Sequence, residues 1–212
     1  MNAMIIRQMT VSVTSCGIRE SKLPVSQTPA TIPAAIPYLS ADGDRVVKWR
    51  RELRGTAGTP LNVGVVWQGN PGQWQDRKRS IPLADFAPLA EQPRVRLLSL
   101  QVGPGREQLA EAPFPIADPA ARFDPQSFDD LAAVMMNLDL VVTVDTASAH
   151  VAGALGVPVW VALPRAACWR WLLERTDSPW YPTMRLFRQN QAGDWGEVFE
   201  RMATELGSAN RG

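Results

Sequence analysis

The stretch that decides the fold runs over 138–163, LDLVVTVDTASAHVAGALGVPVWVAL. It opens and closes on short, nearly continuous apolar runs, 138–145 (LDLVVTVD) and 157–163 (VPVWVAL). Runs this short, rich in β-branched valine and without polar alternation, suit strands covered on both faces inside a parallel sheet. Between them, 147–155 is a small-residue helix whose end is marked by Gly156, because glycine accepts the left-handed backbone that stops a helix. A strand, a sharp turn, a helix and a second strand in this order predict a βαβ unit at the centre of a sheet.

Working outward, 61–68 (LNVGVVWQ) and 94–101 (RVRLLSLQ) are further β-branched runs bounded by Pro or Gly and read as strands. Helices are predicted over 42–54, 82–91, 105–111, 127–137, 147–155 and 193–206. The first (DGDRVVKWRRELR) carries its acids early and its bases late, as the helix dipole favours. The alternation of strand and helix argues for an α/β fold with a Rossmann-like, doubly wound parallel sheet. Upstream, 21–37 (SKLPVSQTPATIPAAIP) has prolines at 24, 29, 33 and 37, which remove backbone donors and disfavour helix before them. The expected organisation is an extended, mobile lead-in over 1–37, one domain over 38–206 and a tail over 207–212.

Composition excludes several classes of function. The chain has 212 residues, 45% hydrophobic and 20% charged, enough for one well-filled core. With 22 Lys and Arg against 21 Asp and Glu, the net charge of +1 lacks the basic field that nucleic-acid binding depends on. No apolar run approaches the roughly 18 residues that span a bilayer, and Arg7, Gln8 and several hydroxyls interrupt the first segment. No transmembrane segment is expected, and a cytoplasmic location is. Cys16 and Cys168 with a single histidine cannot assemble a disulfide framework or a zinc cluster, so no metal and no cofactor is expected.

In open parallel sheets, ligands lie outside the carboxyl ends of the strands. The first such place is Asp145, Thr146, Ala147, Ser148 and the turn up to His150, where an apolar strand stops at an acid and a hydroxyl and a helix begins. Asp145 or Thr146 is predicted to cap that helix, whose free N–H groups and positive dipole end can hold a phosphate. The same residues also fit a bare cap with His150 as a satisfied core residue. The second place follows the strand at 61–68: Gly69 and Asn70 permit a turn, and Arg77, Lys78 and Arg79 could meet a diphosphate. Taken alone, this run fits solvated surface as well. The third, 168–171 (CWRW) with 177–189, could wall a base or a sugar, although eight tryptophans in one small domain more often mean packing.

Taken together, WQGNP with DRKRSIPL (67–71, 76–83), SLQ before Gly103 and Pro104, the stretch 138–164, and WRWLLERTDSPWYPTMRLFRQ before GDW (169–189, 193–195) resemble the carboxy-terminal domain of heptosyltransferase-like glycosyltransferases. More closely, they are similar to bacterial members that place this domain after tetratricopeptide repeats. The resemblance covers about residues 32–206. It implies one half of the GT-B architecture, binding a nucleoside diphosphate sugar without a metal. It also implies Asp145, Thr146 and the backbone through Ala147 and Ser148 to His150 at the donor diphosphate and sugar, Arg79 at the diphosphate, and Gly69 and Asn70 in the turn beneath it. Three motif positions differ: Gln73 and Gln75 replace the histidine and asparagine of GNPxHxNDR, and Cys168 stands where an acid commonly precedes WRWL. In the family an amino-terminal domain binds the acceptor and supplies the general base, while only 1–31 precede IPAAIPYL here. An acceptor domain is therefore expected from a partner chain or a swapped homodimer. The expected function is inverting sugar transfer from that donor to a hydroxyl. A non-catalytic nucleotide-binding or interaction module, a remnant of a longer enzyme, stays open beside it.

Overall fold

The computed structural model describes residues 35–53 and 60–209, all within the unit spanning Ala34–Gly212. The lead-in expected over 1–37 falls outside the described residues as far as 34. Beyond it, Ile36 and Leu39 pack on the core, and the Tyr38 and Leu39 N–H groups donate to the Ala154 carbonyl at 3.1 and 3.2 Å.

Five strands form one parallel sheet: β1 (Leu61–Val66), β2 (Val95–Ser99), β3 (Leu140–Val144), β4 (Val159–Leu163) and β5 (Met184–Arg188), in the order β2-β1-β3-β4-β5. The register sets Val63 opposite Leu97, Val65 opposite Val142, Val142 opposite Trp160 and Val161 opposite Leu186. Among the described residues, six α-helices accompany the sheet: α1 (Gly43–Leu53), α2 (Asp76–Arg79), α3 (Ala87–Ala90), α4 (Asp129–Met135), α5 (Ala147–Leu155) and α6 (Gly196–Ala209).

Period-two alternation feeds two cores, one on each face of the sheet. On β3, Leu140, Val142 and Val144 join the layer with Phe86, Leu89, Phe199 and Met202, while Val141 joins the layer with Trp49, Val134, Ala152 and Trp171. Every residue of β3 and β4 is buried. Each fully buried Val, Leu or Phe contributes about 1.5–3 kcal/mol relative to exposure, so an uninterrupted apolar strand is stable only where both faces are covered. Gly156 ends α5 at φ 77°, as its position predicts.

The edges of the elements depart from expectation. The segment predicted as a helix over 82–91 is a 3-10 turn (Leu83–Phe86) running into the single turn α3, and that over 105–111 is a 3-10 helix (Arg106–Glu111). α6 starts at Gly196 rather than 193 and runs on to Ala209 through three residues of the expected tail. β5 was not expected as a strand, because Arg185 and Arg188 interrupt its apolar pattern. As the outer strand it keeps Arg185 exposed while Met184, Leu186 and Phe187 are buried, a charge placement typical of sheet edges.

Candidate functional site

The site is built where β1 and β3 end side by side. After β1 the backbone is held by Gln101, a buried residue just beyond β2: the Trp67 and Gln68 N–H groups both donate to its Oε1 at 3.1 Å, and its Nε2 donates to the Gln68 and Pro104 carbonyls at 3.0 and 2.7 Å. Sequence reading gave Gln101 no role, although a polar residue closing an apolar strand at its carboxyl end was the available signal. Asn70 folds its own loop, its Oδ1 accepting from the Gly72 N–H at 2.9 Å.

The basic run then resolves into one inward and two outward residues. α2 is a single turn in which Arg77 and Lys78 are exposed and Lys78 sits 5.9 Å over the exposed Trp74 ring. Arg79 instead turns inward. Its Nε donates to Asp76 Oδ1 at 3.2 Å, and its Nη1 donates to the Asp145 carbonyl at 2.6 Å. Asp76, only 3% exposed, also accepts from the Ser80 hydroxyl at 2.9 Å, and that oxygen accepts from the Gly69 N–H at 3.2 Å. Gly69 is needed for this approach: a Cβ there would lie 2.4 Å from Asp76 Oδ1 and 2.8 Å from Arg79 Nη2.

At the end of β3, Asp145 is buried and Thr146 occupies the cap position of α5 in extended conformation. The cap itself differs from expectation. No side chain caps the helix, and the Thr146 hydroxyl lies 3.3 Å from that of Thr143. The Ala149 N–H takes the Thr146 carbonyl at 3.1 Å. Ahead of it, Ala147 is exposed and Ser148 half-buried. This leaves the first turn with backbone donors and the positive end of the dipole facing the Arg79 side of the site.

His150 packs into an aromatic cluster. Its ring stacks on Trp171 (5.4 Å between centroids, 17° between planes), and its Nδ1 lies 3.1 Å from the Tyr181 hydroxyl. Tyr181 in turn lies 3.3 Å from the Tyr38 hydroxyl. Burial pulls the His150 imidazole below its ordinary pKa; Arg170 adds to the effect and Asp145 opposes it. Burial likewise pushes the Tyr181 phenol up. Both groups are thus neutral near pH 7. The aromatic-rich segment divides: Trp171 is core, as packing statistics suggested, whereas Trp169 is 64% exposed.

Residues 123–163 match the family model of glycosyltransferase family 9 (heptosyltransferase). That segment holds α4, β3, α5 and β4, and so both the strand end and the helix start of the site. Protein FlbA of Caulobacter vibrioides is 30% identical over 183 residues, which are 84% of this chain and 30% of that protein. Among solved structures, the glycosyl transferase family 9 protein of Veillonella parvula superposes with a TM-score of 0.56 at 12% identity, over 81% of this chain and 52% of that one. The ADP-heptose lps heptosyltransferase II of E. coli superposes with 0.59 at 16% identity, over 80% and 52%. The chain thus spans about half the length of these solved structures and less than a third of FlbA. Its five-stranded parallel sheet is that of the family 9 structures, which have the GT-B fold, in keeping with the sequence reading. Among the described residues no helix is long and apolar enough to cross a membrane, and no cluster of His, Cys, Asp and Glu could hold a metal ion.

Proposed function

We propose that this chain is the carboxy-terminal, donor-binding half of a family 9 type glycosyltransferase, which holds a nucleoside diphosphate sugar for transfer to an acceptor hydroxyl. One observation carries the reading: the Arg79 guanidinium donates at 2.6 Å to the carbonyl of Asp145, immediately before α5. The cation of one loop and the N-terminus of the neighbouring helix therefore converge on one point, and a diphosphate there would meet a charge-assisted donor and free backbone N–H groups together.

In the proposed reaction the acceptor oxygen bonds to the anomeric carbon as the bond from that carbon to the diphosphate oxygen breaks, with inversion. The acceptor proton passes to a base on the acceptor-binding partner. Arg79 and the first turn of α5 take up the charge that develops on the departing diphosphate, the kind of preorganised stabilisation that lowers such barriers most. The partner that presents the acceptor, a second chain or a second copy, is part of the proposal; that the solved family 9 structures are about twice as long as the segment they share with this chain supports it.

Calorimetric titration with ADP, UDP and GDP tests the reading. Saturable binding of one of them, weakened about tenfold to a hundredfold in Arg79→Ala through loss of a charge-assisted hydrogen bond, is the expected result. A folded sample that binds none of the three overturns it.

A further inference from the structure

A second arginine lies in the loop on the other flank of β3. In the sheet, β3 is flanked by β1 and β4. Arg79 comes from the loop after β1, whereas Arg170 lies in the loop after β4, in the short 3-10 helix Trp169–Trp171. Arg170 precedes Trp171, whose ring stacks at 5.4 Å on His150 of α5, and its charge is felt at both His150 and Tyr181.

Two donors on this segment lack acceptors. Among the described residues, Arg170 Nε and Trp171 Nε1 are buried without a hydrogen-bond partner, and Trp171 is 1% exposed. Looseness does not explain them, because the segment is held at several points. The Trp171 N–H donates to the Cys168 carbonyl at 3.0 Å and the Trp180 indole to the Arg170 carbonyl at 3.0 Å. Arg188 Nη2 spans the Trp171 and Leu172 carbonyls at 3.2 and 2.5 Å. Nor does a described carboxylate pair with Arg170; its guanidinium lies 6.0 Å from the Trp169 ring. Buried donors are almost always satisfied, so two neighbouring ones on a pinned loop beside a helix start mark a place for an anionic acceptor.

Resting on the donor-site reading above, we propose that Arg170, supported by the Trp171 indole N–H, is the second cationic arm of that site and binds the distal phosphate of a nucleoside diphosphate, opposite Arg79. The phosphate supplies the acceptors these donors lack, and its charge is then neutralised from both flanks of β3. Arg170 is a binding residue for the leaving group in this scheme, and its planar fork fits phosphate oxygens as a point charge does not.

The test is titration of the full chain, its Arg170→Gln and Trp171→Phe variants and Arg79→Ala with ADP, UDP, GDP and the matching monophosphates, with melting temperatures alongside. Trp171→Phe removes the indole donor together with part of a fully buried ring, so it is read by its ratio of diphosphate to monophosphate affinity rather than by either alone. Arg170→Gln is expected to weaken diphosphate binding about tenfold to a hundredfold with monophosphate binding and melting temperature little changed, and Trp171→Phe to weaken it in the same selective way but less. Unchanged diphosphate affinity in Arg170→Gln overturns the inference, as does an equal loss for diphosphate and monophosphate. Diphosphate binding that depends on Arg79 and not on Arg170 overturns this inference alone. Failure of the unaltered chain to bind any of the six nucleotides overturns the donor site itself.

Discussion

Replacing Gly69 by alanine adds one methyl group where the Asp76 and Arg79 side chains cross the turn after β1. The new Cβ would lie 2.4 Å from Asp76 Oδ1 and 2.8 Å from Arg79 Nη2, and both must recede beyond 3.0 Å. Asp76 has little room to do so: it is 3% exposed and tied to the Ser80 hydroxyl and to Arg79 Nε. Overpacking of a filled site costs about 1–3 kcal/mol, read as a lower urea midpoint at unchanged slope. Moving Asp76 also drags Arg79 off the Asp145 carbonyl, so nucleoside diphosphate affinity falls about tenfold, the equivalent of one hydrogen bond. Gly43→Ala is the control, because a Cβ there meets nothing within 4 Å; it leaves both readings unchanged or slightly raises stability. A Gly69→Ala protein with the original midpoint and affinity would refute the claim that the Asp76–Arg79 crossing organises the site.

Three further outcomes follow from the same contacts. Burial alone would raise the Asp130 carboxyl, but the Trp49 indole N–H and the Arg45 guanidinium, each at 3.0 Å, outweigh it and hold the group below the usual carboxylate range. The stability it contributes is therefore present above about pH 4 and lost as the pH falls through its folded value. Asp130→Ala should cost about 1–3 kcal/mol in urea unfolding at neutral pH, chiefly through the unpaired indole of a fully buried tryptophan, and should flatten the acid limb. His150 has a depressed folded pKa, so the unfolded chain binds its proton first; stability is full above about pH 6.5 and falls as the pH drops from there through the folded value. Because it is the one histidine of the chain, His150→Gln should abolish the slope of urea stability between about pH 6.5 and 5, and a slope that survives would assign it elsewhere. Gln101→Ala leaves the buried Trp67 N–H without its acceptor and should lower stability by about 1–3 kcal/mol; hydrogen exchange at Trp67 and Gln68 as slow as in the parent would contradict that.

Much of the fold is legible because it is written in short-range pattern. The valine runs at 140–144 and 159–163, the small residues of α5 and the glycine that ends it act over a few neighbouring positions, and each agrees with the parallel sheet they form. β5 escaped for the opposite reason. Its two arginines break the pattern, and only its place outside β4, where Arg185 can face solvent, makes those residues compatible with a strand. The helix expected over 105–111 closed as a tighter 3-10 helix, a difference that local propensity leaves open.

The site divides along the same line. By itself the sequence determined that an acid and a hydroxyl end the central strand before a small-residue helix, and that a basic run follows β1, since both are statements about adjacent residues. The residue pattern left three successive bases open and the resemblance implied Arg79; the tertiary structure turns that one inward, setting the carbonyl of Asp145 within 2.6 Å of an arginine 66 positions earlier. It also decided that His150 packs on Trp171 and Tyr181, and that the Arg170 and Trp171 donors are buried without acceptors. Hydrogen bonding and desolvation depend on which atoms packing brings within a few ångströms, and packing across the sheet joins residues whose spacing along the chain carries no sign of the encounter.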